Sequence, residues 1–201
     1  MANKITLLIA QYRLPFPLYY SGADKSTIEL AQALSSMKHH VHLLFCTGFY
    51  TEIDIEKKLK RESLSYTKQK EGFVIDFQGL SIHLFFHDAF FQAYHDFLKK
   101  HHDSFILHHT NLYVTKESTA YRYKEWTSLF KTNHRHIAFL RSMEAFSLLS
   151  PFKEKLCCIF ANSPFMQTQI KHQWSLPSTI MRPVPHHSCK MKEKANFSDY
   201  F

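Results

Sequence analysis

Short continuous apolar runs recur along this chain, separated by stretches with helical spacing. Ile5 to Ala10 is the first run and Val41 to Cys46 the second. Unbroken runs of this length predict strands buried on both faces, as in a parallel sheet. Between them Thr27, Leu30, Ala31, Leu34 and Met37 fall on one helical face, and Asp24 is placed to cap a helix beginning near Lys25. Strand, helix and strand in succession make a βαβ unit.

The same alternation continues. Ile55, Leu59 and Tyr66 define a weak amphipathic face within Ile53–Lys70. Gly72 to Phe86 reads as two short strands, or one long strand with a turn, divided at Gly79. Phe90, Phe91, Tyr94, Phe97 and Leu98 predict a helix over Ala89–Lys100. Further strands are expected at Phe105–Leu107, His136–Leu140, Leu156–Ala161 and Thr179–Met181. Helices are expected over Ser118–Lys131 and from Pro164 toward Trp174, the latter capped by Asn162 or Ser163. Pro151 makes Glu144–Lys155 a short or broken helix. This pattern predicts an α/β fold: a Rossmann-like, open, mostly parallel sheet with helices on both faces, in a single domain over 1–185, followed by a basic tail or linker over 186–201.

Composition narrows the class. At 201 residues, 45% apolar and 21% charged, the chain is neither disordered, collagen-like nor a coiled-coil rod. The formal charge of +8 permits nucleic acid, anionic membrane or a phosphorylated small molecule as partner. No helix-turn-helix, RNP or zinc-finger pattern accompanies it, so nucleic acid is not expected. Cys46, Cys157, Cys158 and Cys189 form no CxxC pair and read as reduced thiols. The apolar run near the N-terminus is too short for a signal peptide, and no stretch approaches a spanning helix. A cytoplasmic protein is expected, with the basic stretch Lys57–Lys70 able to dock on the inner face of an anionic membrane.

In a doubly wound sheet ligands bind beyond the carboxyl ends of the strands. Gly22 stands there, before the first helix, where backbone N–H groups favour an anion. Neither GxGxxG nor GxxxxGK[ST] is present, which argues against a dinucleotide or P-loop site. Arg13 and Arg141 follow strands and suit phosphate contacts, or else are solvated surface charges. One of His108 and His109 should face the cleft, as a hydrogen-bond donor or an acid–base group. His40-x-His42 and His134-x-His136 have two-residue spacing but no evident third ligand, so no metal is expected. Tyr12, Phe16, Tyr19 and Tyr20 could stack on a sugar, cover lipid or pack their own loop.

The segment Ser21-Gly22-Ala23-Asp24 through Leu30-Ala31-Gln32-Ala33-Leu34 resembles the GGAE…ELAxAL segment of GT-B glycosyltransferases of family four. Lys38 to Leu44 resembles that family's GHxVxVxT strand, and Ile106-Leu107-His108 its strand ending in HxH. Ile159 to Phe165 is similar to the vSexx segment, and Leu176 to Val184 to the lPxxkixVipN stretch that ends the amino-terminal domain. Ser21 replaces the first glycine, Arg141-Ser142 stands where a strand usually ends in His, and Pro185-His186 replaces Asn-Gly.

The resemblance implies an acceptor-binding domain of a retaining enzyme that transfers a sugar from a nucleotide-sugar without an obligate metal or other cofactor. It gives Gly22 and Ala23 the donor diphosphate loop and His108 the cleft histidine. The family's second, donor-binding domain has no counterpart in these residues. The chain is therefore expected to be inactive alone, as a half that is either truncated or completed by a second polypeptide carrying that domain. The alternative is a non-catalytic module that binds a partner or a membrane surface.

Overall fold

A computed structural model describes residues 4–11, 14–20, 22–102, 104–109 and 130–181. Among the described residues nine strands form one sheet, numbered in chain order and arranged β3-β4-β5-β2-β1-β6-β7-β8-β9. Its centre is parallel: β1 (Lys4–Gln11) lies between β2 (His40–Cys46) and β6 (Phe105–His109). Beyond β6 follow β7 (Arg135–Leu140), β8 (Leu156–Ala161) and the short β9 (Thr179–Ile180), all parallel. On the other side β5 (Leu80–Phe85) is parallel to β2, whereas β4 (Gly72–Phe77) and β3 (Ser65–Gln69) are antiparallel additions. The expected Rossmann-like α/β/α architecture is the one observed.

The β4–β5 region is a hairpin. Gln78 (φ 52°) and Gly79 (φ 78°) both take left-handed conformations, as a two-residue type I′ turn requires. Gly72 (φ 155°) pairs with Phe85, and a Cβ there would collide with the Leu84 carbonyl. β3 escaped the sequence reading because Ser65-Tyr66-Thr67-Lys68-Gln69 is an exposed, mostly polar edge with no apolar alternation.

Two apolar clusters lie on opposite faces of the sheet, because alternate residues of each strand point to opposite sides. On one face α1 (Gly22–Ser36) and α2 (Glu52–Arg61) cover Leu43, Phe45, Ile82 and Phe139 through Ile28, Ala31, Ile55 and Leu59. On the other, α3 (Phe90–Lys100), α4 (Met143–Leu149) and α5 (Pro164–Trp174) cover Leu44, Ile106, Leu140 and Ile159. Each fully buried Leu, Ile or Phe contributes about 1.5–3 kcal/mol of transfer free energy.

Local signals set the helix ends. Thr51 accepts a hydrogen bond from Asp54 N at 3.2 Å, while the Asp54 carboxylate accepts from Thr51 N at 3.3 Å, a capping box. Ser163, one of the two expected caps, accepts from Met166 N at 3.2 Å ahead of Pro164. Glu144–Lys155 divides into α4 and a 3-10 turn, Ser150–Lys155, that holds Pro151. Asp24 is not a cap: α1 already begins at Gly22, and Asp24 is buried within its first turn. The expected helix over Ser118–Lys131 lies outside the described residues except for Phe130 and Lys131, which form a turn, as does all of 186–201.

Candidate functional site at the carboxyl edge

The carboxyl ends of the parallel strands gather the first turn of α1, the segment after β2, and the residues after β7 and β8. Gly22 is exposed at the first position of α1, and a Cβ built on it would meet nothing within 4 Å. The fold therefore does not demand glycine there. With no side chain at Gly22, an anion could approach the N–H groups of the helix's first turn. Ala23 is the second residue of the same turn.

Asp24 and Arg141 meet behind that turn. Asp24 is fully buried on α1, and Arg141 follows β7. Burial pulls the Arg141 guanidinium down to about 10, and the Asp24 carboxylate opposes that pull. The guanidinium also lies 4.5 Å from the centre of the Phe139 ring. Asn162 fixes the backbone here: its side-chain amide donates to Arg141 O at 3.2 Å and its N–H to Leu140 O at 3.2 Å. Arg141 is thus a half-buried cation held at the strand end, not a solvated surface charge. Arg13 lies outside the described residues.

The side chain of Thr47, after β2, is buried, and its hydroxyl has no hydrogen-bond partner among the described residues. Around it the edge carries an exposed aromatic rim of Phe49 and Phe165, while Tyr20 reaches toward the far end of α2, where its hydroxyl donates to Glu62 at 3.3 Å. Phe49 is 82% exposed and stacks on His87 at 5.5 Å; Tyr20 is 67% exposed and meets Phe16 edge-on at 5.3 Å. Phe16 itself packs on Phe77 at 6.1 Å, so the first loop both packs inward and presents Tyr19 and Tyr20 outward. Phe165, 61% exposed, continues the rim beyond β8.

His108 does not face this edge. Its side chain is 2% exposed and lies on the α3 side of the sheet, where Ile106 points, stacked on Phe130 at 4.5 Å. Its Nε2 is 2.9 Å from Nδ1 of His136, so one ring donates and the other accepts. Burial and the neighbouring His136 push its pKa well below the usual histidine value. The expected cleft histidine is an interior group because strand parity, invisible in the HxH-like ending, turns it away. Of His109 only the backbone, in β6, is described.

The His40-x-His42 and His134-x-His136 pairs do not build a metal centre: no group of three metal-ligating side chains converges among the described residues. His42 instead contacts His83 at 3.4 Å, and both rings pack on Phe97. Cys46 is buried and Cys157 exposed, both as free thiols. The basic stretch Lys57–Lys70 is not one solvated helix face. It spans the end of α2, a turn and β3, with Lys68 paired to Glu52 and Glu56 and Arg61 to Glu62. No helix among the described residues is long and apolar enough to cross a membrane.

No family model matches the chain, and no curated protein sequence does. Solved structures do. An alpha-glucosyltransferase, solved with UDP and a 13-mer DNA containing an HMU base, superposes over 92% of this chain with a TM-score of 0.54 at 15% identity. A glycosyltransferase from Rickettsia africae superposes over 90% with a TM-score of 0.42 at 13% identity. The chain accordingly shares a Rossmann-like α/β fold with part of the alpha-glucosyltransferase. The chain spans 43% and 42% of the lengths of these two neighbours.

Proposed function

We propose that this chain is the amino-terminal, acceptor-side half of a retaining GT-B glycosyltransferase of family four. The observation that carries the reading is the superposition of nearly the whole chain on less than half of an alpha-glucosyltransferase. The donor-binding half then lies outside these 201 residues, further along the same protein or on a second polypeptide. The donor is a nucleotide-sugar, and no metal or cofactor is required.

In this reading the diphosphate of the donor rests against the first turn of α1. The N–H groups at Gly22 and Ala23 supply partial positive charge, and Gly22 leaves room for close approach. Arg141, held by Asp24 and Phe139, adds a fixed cation nearby, with Arg13 a second candidate on sequence grounds. Charge on the departing diphosphate grows in the transition state, so preorganised donors here lower the barrier. Tyr19 and Phe49 offer flat apolar faces to an acceptor.

Two observations favour a nucleic-acid acceptor as a second reading: the +8 charge, and the exposed aromatic rim on which bases could stack. The alpha-glucosyltransferase neighbour was solved with DNA. A third reading, a non-catalytic module on anionic membrane, is separated by salt-sensitive liposome binding without sugar transfer. The diphosphate role is tested by isothermal titration of the chain with inorganic pyrophosphate, since the nucleotide itself belongs to the half that lies outside these residues. Gly22→Val should weaken binding at least tenfold with stability unchanged within about 1 kcal/mol, since the site is open. Equal affinity of the variant and the parent would remove the diphosphate role from α1.

A further inference from the structure

The parallel strands all begin at the edge opposite Gly22, and the segments that lead into them carry a row of unmatched cations. Lys38 stands just before β2, Lys131 and Arg135 lead into β7, and Lys155 precedes β8; all four are exposed. None of the four pairs with a carboxylate among the described residues. Glu154, the exposed carboxylate beside them, has Lys153 at 4.0 Å. Lys99 and Lys100 end α3 on the same edge, where Lys99 meets Asp96 at 3.4 Å and both complement the carbonyl end of the helix. The excess of positive charge stands without those two.

The row is held by the fold. Lys38 takes a left-handed conformation (φ 64°); its N–H donates to Ser35 O at 2.9 Å and His39 N–H to Leu34 O at 3.2 Å, which closes α1. Arg135 pairs with Phe105 of β6, and its guanidinium lies 5.2 Å from the centre of that ring. Lys155 Nζ donates to Phe130 O at 2.5 Å, and His134 Nε2 donates to the His101 carbonyl at 3.2 Å, so neighbouring segments are tied together. The sheet order β2-β1-β6-β7-β8 spreads the row over four inter-strand steps of about 4.8 Å, about 19 Å in all.

We propose that this edge holds the phosphate backbone of double-stranded nucleic acid, without regard to sequence. Each strand of a duplex carries a phosphate every ~3.4 Å of axis, about five over this length, so each of the four cations finds a partner. Contacts of this kind fix position and carry no sequence information. A single strand would be gripped by aromatic platforms and a membrane by apolar anchors. Of the large apolar side chains exposed among the described residues, Met37 stands beside the row, whereas Phe49, Ile53 and Phe165 belong to the other edge. The six residues of β7 put about 20 Å between this edge and that of Gly22. A duplex held here therefore leaves the diphosphate site open, and the proposal does not rest on the glycosyltransferase reading.

The test is fluorescence anisotropy of a labelled DNA duplex of about 20 base pairs, titrated with the full chain from about 50 to about 200 mM sodium chloride. Four phosphate contacts predict a slope of about −3.6 in log affinity against log salt, a loss of about 150-fold across that range. Lys38→Gln/Lys131→Gln/Arg135→Gln should weaken binding at least tenfold at the lowest salt and leave a loss of only about fourfold across the range. The charge-keeping triple Lys38→Arg/Lys131→Arg/Arg135→Lys should bind as the parent does, which ties the loss to charge rather than to folding. Lys57→Gln/Lys60→Gln/Lys70→Gln removes the same net charge from exposed positions on α2 and after β3, and should keep both affinity and slope. Vesicles of phosphatidylserine and phosphatidylcholine should not displace the duplex. No binding at low salt, an equal loss in both glutamine triples, or displacement by the vesicles would each overturn the proposal.

Discussion

Acid should loosen the face of the sheet that α3 covers, and His83 and His136 carry a defined part of that effect beside the fully buried His108. Burial, together with neighbouring positive groups, lowers His83 to about 4, and burial with His134 lowers His136 to about 4. His42 and His101 are the charges facing His83; His134 and Lys155 are those facing His136. In the unfolded chain both return to about 6.5. The folded state therefore prefers neutral rings, and the unfolded state binds more protons below pH 6.5. Stability is complete above that value and is lost as the pH falls toward 4. At pH 5 linkage gives about 2 kcal/mol for each ring, which residual solvation reduces to about 1–2 kcal/mol. The pair thus removes about 2–4 kcal/mol from a total that for most domains is about 5–15 kcal/mol. Urea unfolding at pH 8 and pH 5 measures this directly. The double variant His83→Leu/His136→Leu should be less stable at pH 8 but should lose about 2–4 kcal/mol less than the parent between the two pH values. An unchanged difference between pH 8 and pH 5 would refute the reasoning.

Asp24→Asn takes the carboxylate from the half-buried Arg141 cation and should cost about 1–3 kcal/mol in urea unfolding, with Asp24→Asn/Arg141→Met recovering much of the loss. Gly72→Ala drives a methyl into the Leu84 carbonyl at a positive φ and should destabilise by about 3 kcal/mol or more, whereas Gly22→Ala should be neutral or slightly stabilising. Trp174→Ala removes a buried ring that stacks on Phe146 at 4.3 Å and donates to Ser150 Oγ at 3.2 Å; a loss of about 3–5 kcal/mol is expected by the same assay. Ser163→Ala removes the α5 cap and should cost about 1 kcal/mol.

The parallel core was legible because its strands are buried on both faces and so read as unbroken apolar runs. Val41–Cys46 and Leu156–Ala161 were placed within a residue of their observed ends. The amphipathic helices were legible for the same reason: Phe90, Tyr94 and Leu98 repeat at the spacing that buries them together. What stayed hidden depends on contacts across the chain. Asp24 has cap chemistry, and nothing local tells that Arg141 waits behind it. His108 follows an apolar strand toward a ligand edge, but its parity with Ile106 sends it inward against Phe130 and His136. Lys57–Lys70 reads as one basic face until Lys68, on β3, reaches back to Glu52 and Glu56 on α2. Gly22 was legible as a position, and the structure adds that the fold itself makes no demand for it.

Backbone amide NMR of the chain titrated with inorganic pyrophosphate tests the central claim most directly. The account predicts the largest shifts at Gly22, Ala23 and Asp24 and at Arg141 and Ser142, all on the carboxyl edge. Shifts absent from those amides at saturating pyrophosphate, or confined to other faces of the sheet, would contradict it.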